Sequence, residues 1–186
     1  MFVTPNASVI GNVSIGDNSS IWYGARLLAN EAPISIGSLV SIGDKVEVSN
    51  VKGGKTEIGD SVTVGHGAKL TSCTLQSNSS VEIASEVPEG CVVESFSVVA
   101  AGSRLAPNTR VPTGQIWAGS PAVKVRDLSA EEQQGIALSA NQWYSLGQRH
   151  LINQNRSDEE KFQDHLEEDW AVYEETEEEN RHRHRY

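Results

Sequence analysis

An all-β chain wound as a parallel β-helix follows from the spacing of Val, Ile and Leu. Val3, Val9, Ile15, Ile21 and Leu27 fall six residues apart. Ile36, Ile42 and Val48 form a second frame, and Ile58, Val64 and Leu70 a third. Leu75, Val81, Val87, Val93, Val99, Leu105 and Val111 form a fourth. Only 41 of the 186 residues are Val, Ile or Leu, so seven consecutive hits in one frame are not chance. Helices and ordinary strands have other periods. A hexapeptide period is that of a parallel β-helix, in which three hexads close one triangular coil and the aliphatic side chain points inward. One coil cannot bury its own side chains, but a stack buries a continuous column of them. The hexads predict about six coils over residues 1–116.

Small and turn-forming residues follow the aliphatic position, as in Ile15-Gly16-Asp17-Asn18, Ile42-Gly43-Asp44 and Ile58-Gly59-Asp60. They read as corner residues tolerant of turn conformations. The frame shifts after Leu27 and after Val48 read as loops leaving the corners, with Val51-Lys52-Gly53-Gly54-Lys55 the most loop-like. Cys73 and Cys91 form no disulfide framework and read as small buried side chains.

Where the hexads stop, Trp117-Ala118-Gly119-Ser120-Pro121-Ala122 reads as an exit turn. Ser129-Ala130-Glu131-Glu132 then resembles a capping box. Ile136, Leu138, Trp143, Leu146 and Leu151 predict a helix packed along the prism, within a second segment 117–156, although Gly135 and Gly147 weaken it. A final segment, 157–186, is an acidic tail. Phe162, Leu166, Trp170 and Tyr173 recur there at helical spacing, and Arg and His alternate from Arg181 to Arg185.

Charge is segregated. Residues 1–156 hold 13 acids and 11 Lys or Arg, whereas 157–186 hold 12 acids and four. The prism is therefore near neutral and lacks the basic stripe that nucleic acid requires. No apolar stretch is long enough to span a bilayer, and Met1-Phe2-Val3-Thr4-Pro5 enters the repeat without a visible targeting segment.

Several motifs in order resemble one family. They are Asn12-Val13-Ser14-Ile15-Gly16-Asp17-Asn18-Ser19-Ser20-Ile21-Trp22-Tyr23-Gly24 and Ile58-Gly59-Asp60-Ser61-Val62-Thr63-Val64-Gly65-His66. Val99-Ala100-Ala101-Gly102, Asn108-Thr109-Arg110-Val111-Pro112, Trp117 to Lys124 and the Ser139 to His150 stretch follow. Across about Val3 to His150 the chain resembles γ-class carbonic anhydrases, and especially the carbonic-anhydrase-like subunits of mitochondrial respiratory complex I. The resemblance implies a left-handed coil, a trimer, and in active members a zinc ion held by three histidines shared between subunits.

Carried over residue by residue, the resemblance puts the first ligand at Ser49, the second at His66 and the third at Thr71. Only His66 is a histidine. Hydroxyls are poor zinc ligands, and one imidazole does not hold the metal tightly. The family's Arg-Gly-Asp aligns with Leu28-Ala29-Asn30, the Gln of its first ligand block with Gly43, and its Tyr-x-Asn pair with Trp143 and Ser145. His150 and His165 lie beyond the prism without ligand spacing.

The resemblance thus implies a chain with no catalytic residue and no zinc of its own, zinc being possible only at a site shared with a neighbouring subunit. Its expected place is a non-catalytic structural or assembly subunit of a homo- or heterotrimer of γ-carbonic-anhydrase-type chains. That trimer would stand among other complex I subunits, on the matrix face of the inner mitochondrial membrane. Two enzyme readings compete with it: a zinc carbonic anhydrase using a shared site, and a hexapeptide-repeat acyltransferase with His66 as its base.

Overall fold

The computed structural model describes residues 1–154. The acidic segment from Ser157 and the Arg/His run lie outside the described residues. Two units divide the chain, Met1–Gly147 and Gln148–Tyr186. Of the second, only the end of the helix is described.

The first unit is a parallel β-solenoid of about six coils with three faces. On the first face, Phe2–Val3, Ser20–Ile21, Ser41–Ile42, Thr63–Val64, Ser80–Val81, Val98–Val99 and Gln115–Gly119 stack in order, every neighbouring pair parallel. Two long strands, Ser8–Ile15 and Arg26–Ile36, run across both the second and the third face. Later coils break this run at the corner into Glu47–Ser49 and Thr56–Ile58, then Lys69–Thr71 and Thr74–Leu75, then Glu86–Val87 and Val92–Val93.

The predicted aliphatic frames become three columns. Ile21, Ile42, Val64, Val81 and Val99 are in register on the first face. Leu27, Val48, Leu70 and Val87 are in register on the second, and Ile36, Ile58, Leu75, Val93 and Val111 on the third. Column ends show what stacking contributes. Val3 and Val9 of the first coil are 37% and 42% exposed, whereas Ile21 and Leu27, one coil further in, are 0% exposed. Complete burial of such side chains contributes about 1.5–3 kcal/mol each.

A second inward set precedes each aliphatic residue by two. It includes Ala25, Val40, Val46, Val62, Ala68, Cys73, Ser85, Cys91, Ser97 and Ser103, all buried. The serines fit because their hydroxyls find backbone partners: Ser85 Oγ donates to the Ala100 carbonyl at 2.9 Å, and Ser103 Oγ accepts from the Gly119 amide at 3.1 Å. Burial pushes the Cys73 thiol up to about 12, the neighbouring Cys91 adding to the effect. Burial also raises Cys91.

The corner glycines have a different reason from the expected one. Gly16, Gly37 and Gly59 do not take positive φ. A Cβ on Gly16 would lie 2.5 Å from the Gly37 carbonyl carbon, and one on Gly37 would lie 2.8 Å from that of Gly59. Coil stacking, not turn conformation, excludes a side chain there. The left-handed residue stands two positions later, at Asn18, Leu39 and Ser61. Three residues before an aliphatic position, other corners carry Gly24, Gly67, Asn78, Gly102 and Asn108, all at positive φ.

After the last coil, Gln115–Gly119 pairs antiparallel with Ala122–Asp127, and helix α1 runs from Ala130 to Gln154. The predicted capping box forms. Glu132 N–H donates to Ser129 Oγ at 3.2 Å, and Ser129 N–H donates to Glu132 Oε2 at 2.8 Å. The expected apolar face is corrected at Leu138, which is 63% exposed. The buried helix positions are small instead, Ala140 and Gly147, because the helix approaches the sheet closely: a Cβ on Gly147 would meet Phe2 at 3.5 Å.

Ala84 is exposed and holds φ at 56°. An L-residue other than Asn or Gly is strained there. Ala84→Asn should therefore stabilise the protein by about 0.5–1 kcal/mol in urea denaturation.

Hydrogen bonds from the Arg126 guanidinium, and then from the Ser129 amide, hold the Glu132 carboxyl down at about 2, against an ordinary 4.5. Because the folded value is depressed, the stabilisation is fully present above pH 4.5 and is lost as pH falls through about 2. The Ser129 amide resonance should titrate with a midpoint near 2, and Glu132→Gln should abolish that titration.

Candidate functional site

The first face is the one the helix covers. Its outward positions Ser20, Ser41, Thr63 and Ser80 form a row of hydroxyls in register. Trp22 lies over the start of this row, its indole N–H within 3.0 Å of both Ser20 Oγ and Ser41 Oγ. Aromatic contacts then lead from the first coil to the helix. Phe2 meets Trp22 edge-on at 5.2 Å between centroids, Trp22 meets Trp143 at 5.9 Å, and Trp143 meets His66 at 5.9 Å. Such pairs contribute about 0.5–1.5 kcal/mol each beyond area burial.

Between this face and Trp143 lies a cleft of about 370 Å³. Ser41, Thr63, His66, Ser80, Glu82 and Trp143 supply its functional side chains. Ser80 Oγ donates to Glu82 Oε1 at 2.8 Å. Thr63 Oγ1 is buried and has no hydrogen-bond partner among the described residues. His66 stands at the corner between the first and second faces, two residues past Val64. Its Nδ1 accepts the Asp44 backbone N–H at 2.9 Å, and Asp44 Oδ2 lies 3.4 Å from the same nitrogen.

The three positions of the resemblance do not converge within this chain. Ser49 and Thr71 are partners in register on adjacent coils of the second face, both half-buried. His66 lies across the corner from them. Among the described residues, no group of three or more His, Cys, Asp or Glu could hold a metal ion. Two neutral hydroxyls beside each other do not make a zinc donor set. Ser49, His66 and Thr71 as they stand in the described residues therefore do not fit the metal that the resemblance implies.

Sequence reasoning missed Glu82 and Thr63. Both belong to the alternating outward positions of the first face, which become legible only once the coils are in register. It also missed the role of the Asp44 amide, a backbone group 22 residues from His66.

No family model matches the chain. It is 42% identical over 166 residues to "Gamma carbonic anhydrase 2, mitochondrial" of Arabidopsis thaliana, covering 86% of this chain and 60% of that protein. It is 43% identical over 155 residues to "Gamma carbonic anhydrase 1, mitochondrial" of the same plant, covering 80% and 56%. The chain thus spans about three fifths of the length of these relatives. A "Probable carbonic anhydrase" of Methanocaldococcus jannaschii is 31% identical over 146 residues, 78% of this chain and 92% of that one. Among solved structures, a hexapeptide transferase family protein from Anaplasma phagocytophilum superposes with a TM-score of 0.76 at 38% identity, covering 79% and 87%. A putative acetyltransferase of Bacillus cereus gives a TM-score of 0.78 at 26% identity, covering 80% and 87%.

Trp143→Ala should remove the ring contacts that the helix makes through this residue with Trp22 and His66. The expected loss is about 1–3 kcal/mol, with faster amide exchange across 130–147 than in the coils. Unchanged exchange there would show that other contacts hold the helix.

Proposed function

The chain belongs to the γ carbonic anhydrase family, and from that premise we propose that it is a non-catalytic structural subunit of a trimer of such chains. One observation carries the reading. The coils stack without a break in their aliphatic columns, while Ser49 and Thr71 stand side by side where the family resemblance puts two of three metal-binding histidines. A hydratase needs neutral imidazoles and an open position on zinc to lower the pKa of bound water. This chain supplies a single imidazole to that arrangement. Its outward faces other than the one the helix covers offer surfaces for packing against homologous chains.

The Arabidopsis relatives carry mitochondrial names, which supports a mitochondrial place for this protein. We assign it to the matrix face of the inner membrane, in a homo- or heterotrimer within NADH:ubiquinone oxidoreductase. Among the described residues no helix is long and apolar enough to cross a membrane.

A second reading is favoured by the transferase-family structures that share the fold: acyl transfer from coenzyme A with His66 as base. The cleft beside His66 gives it a place. Against it, the hydrogen bond from the Asp44 amide occupies the Nδ1 lone pair. A third reading has His66 completing a zinc site whose other histidines come from an active neighbour.

Capture of the tagged protein under mild detergent should recover homologous γ-carbonic-anhydrase-type chains together with respiratory subunits. A purely soluble homotrimer would sink the assembly proposal. Stoichiometric zinc with carbon dioxide hydration that is lost in His66→Ala would favour the shared site. Coenzyme A raising the melting temperature would favour acyl transfer.

A further inference from the structure

Corners of this solenoid carry a recurring device. The residue two past an inward aliphatic position offers a side-chain acceptor to the backbone amide one coil earlier. Asp44 Oδ1 accepts from the Tyr23 N–H at 3.0 Å. Asp60 Oδ1 accepts from the Ser38 N–H at 2.8 Å. Ser77 Oγ then accepts from the Asp60 N–H at 3.0 Å. His66 Nδ1 accepts from the Asp44 N–H at 2.9 Å in the same way. The atoms correspond: Nδ1 of histidine and Oδ1 of aspartate are both bonded to Cγ, so each reaches the same distance from its corner.

A backbone N–H can only donate, so Nδ1 must carry the lone pair. In a neutral imidazole the proton then resides on Nε2. We infer that His66 is a structural rung of this corner ladder, held as the Nε2–H tautomer, and that it offers the cleft a hydrogen-bond donor rather than a lone pair for a cation.

The chemistry of ligation runs the other way. A histidine that binds a metal through Nε2 places its proton on Nδ1 and donates it to a carbonyl or carboxylate. Here that proton would point at the Asp44 N–H and leave a backbone donor without its partner. The competing acceptor, Asp44 Oδ2, lies further off at 3.4 Å. A ligand suited to the cleft at this point is one presenting an acceptor oxygen to Nε2–H. The buried Thr63 hydroxyl, which lines the same cleft, has no partner among the described residues and can donate to the same kind of group.

The assignment stands on the corner geometry and not on membership of any complex, so failure of the capture experiment would leave it intact. Its test is long-range 1H–15N NMR of the histidine side chains in the intact chain, above the ordinary histidine titration range, before and after one equivalent of zinc. The expected spectrum has His66 Nδ1 unprotonated and Nε2 protonated, with neither shifting on zinc addition. A protonated Nδ1, or an Nε2 that loses its proton to zinc, overturns the assignment. A second arm measures urea unfolding. His66→Asn, which keeps an acceptor on Cγ but gives up the ring contact with Trp143, should be more stable than His66→Ala, the two unfolding equilibrium constants differing about five-fold, as for one lost hydrogen bond. Equal loss in both variants also overturns it.

Discussion

Everything in this fold depends on coils stacking at the spacing of neighbouring strands, about 4.8 Å. That spacing forces Val, Ile and Leu into continuous columns, excludes a Cβ from Gly16, Gly37 and Gly59, and brings each corner within hydrogen-bonding reach of the one before. Departures from the ideal eighteen-residue coil are absorbed where the columns are not touched. The extra residues after Leu27 do not form the expected loop but a bulge within Arg26–Ile36, where pairing with Ser8–Ile15 shifts register between Gly11 and Val13; those after Val48 leave between Glu47–Ser49 and Thr56–Ile58, and Ile36 and Ile58 return to register. The opposite change occurs at Thr71-Ser72-Cys73-Thr74, where the turn is one residue short. Ser72 takes φ of 42° there, and Leu75 still pairs with Ile58.

The same constraint explains how hydroxyls can stand at Ser49 and Thr71 without damage to the scaffold. Ser49 and Thr71 occupy outward positions, where stacking sets the backbone but not the side chain. A hydroxyl there leaves Val48 and Leu70 in their column and the ladder hydrogen bonds unbroken. His66 differs because its side chain serves the stack directly, through the Asp44 amide. Chemistry and architecture therefore separate at the first two positions and coincide at the third.

The period was legible because one residue class fills the inward aliphatic position, whatever follows it. The other inward position was not, since it mixes Val62, Ala68, Cys73 and Ser85, and only Ser85 has a hydroxyl, which finds a backbone acceptor in the next coil. The corner glycines were legible as corners but not for their cause, because a clash with the next coil leaves no local mark in the sequence. The capping box was read correctly since its partners lie three residues apart. The buried face of the helix was not, because a close helix–sheet approach favours Ala140 and Gly147 over Leu138. The resemblance directs attention to Ser49, His66 and Thr71. Only the structure set Ser49 against Thr71 and gave His66 its partner.

The second face raises a different requirement, since its inner side is dry while its outer side faces water. Its outward column reads Arg26, Glu47, Lys69, Glu86, Arg104, alternating in sign from coil to coil. Arg26 and Glu47 approach to 3.8 Å, Lys69 and Glu86 to 3.9 Å, and Arg104 and Glu86 to 3.2 Å. All are substantially exposed, and pairs of that kind contribute little to stability. Their value lies in the pattern. Opposite charges directly across a strand pair are favourable and like charges are not, so each rung agrees with both neighbours. The face stays hydrated while the columns behind it remain dry. A partner that settles on this face must match an alternating row of charges rather than an apolar patch, and that selects among partners more than it strengthens any one of them.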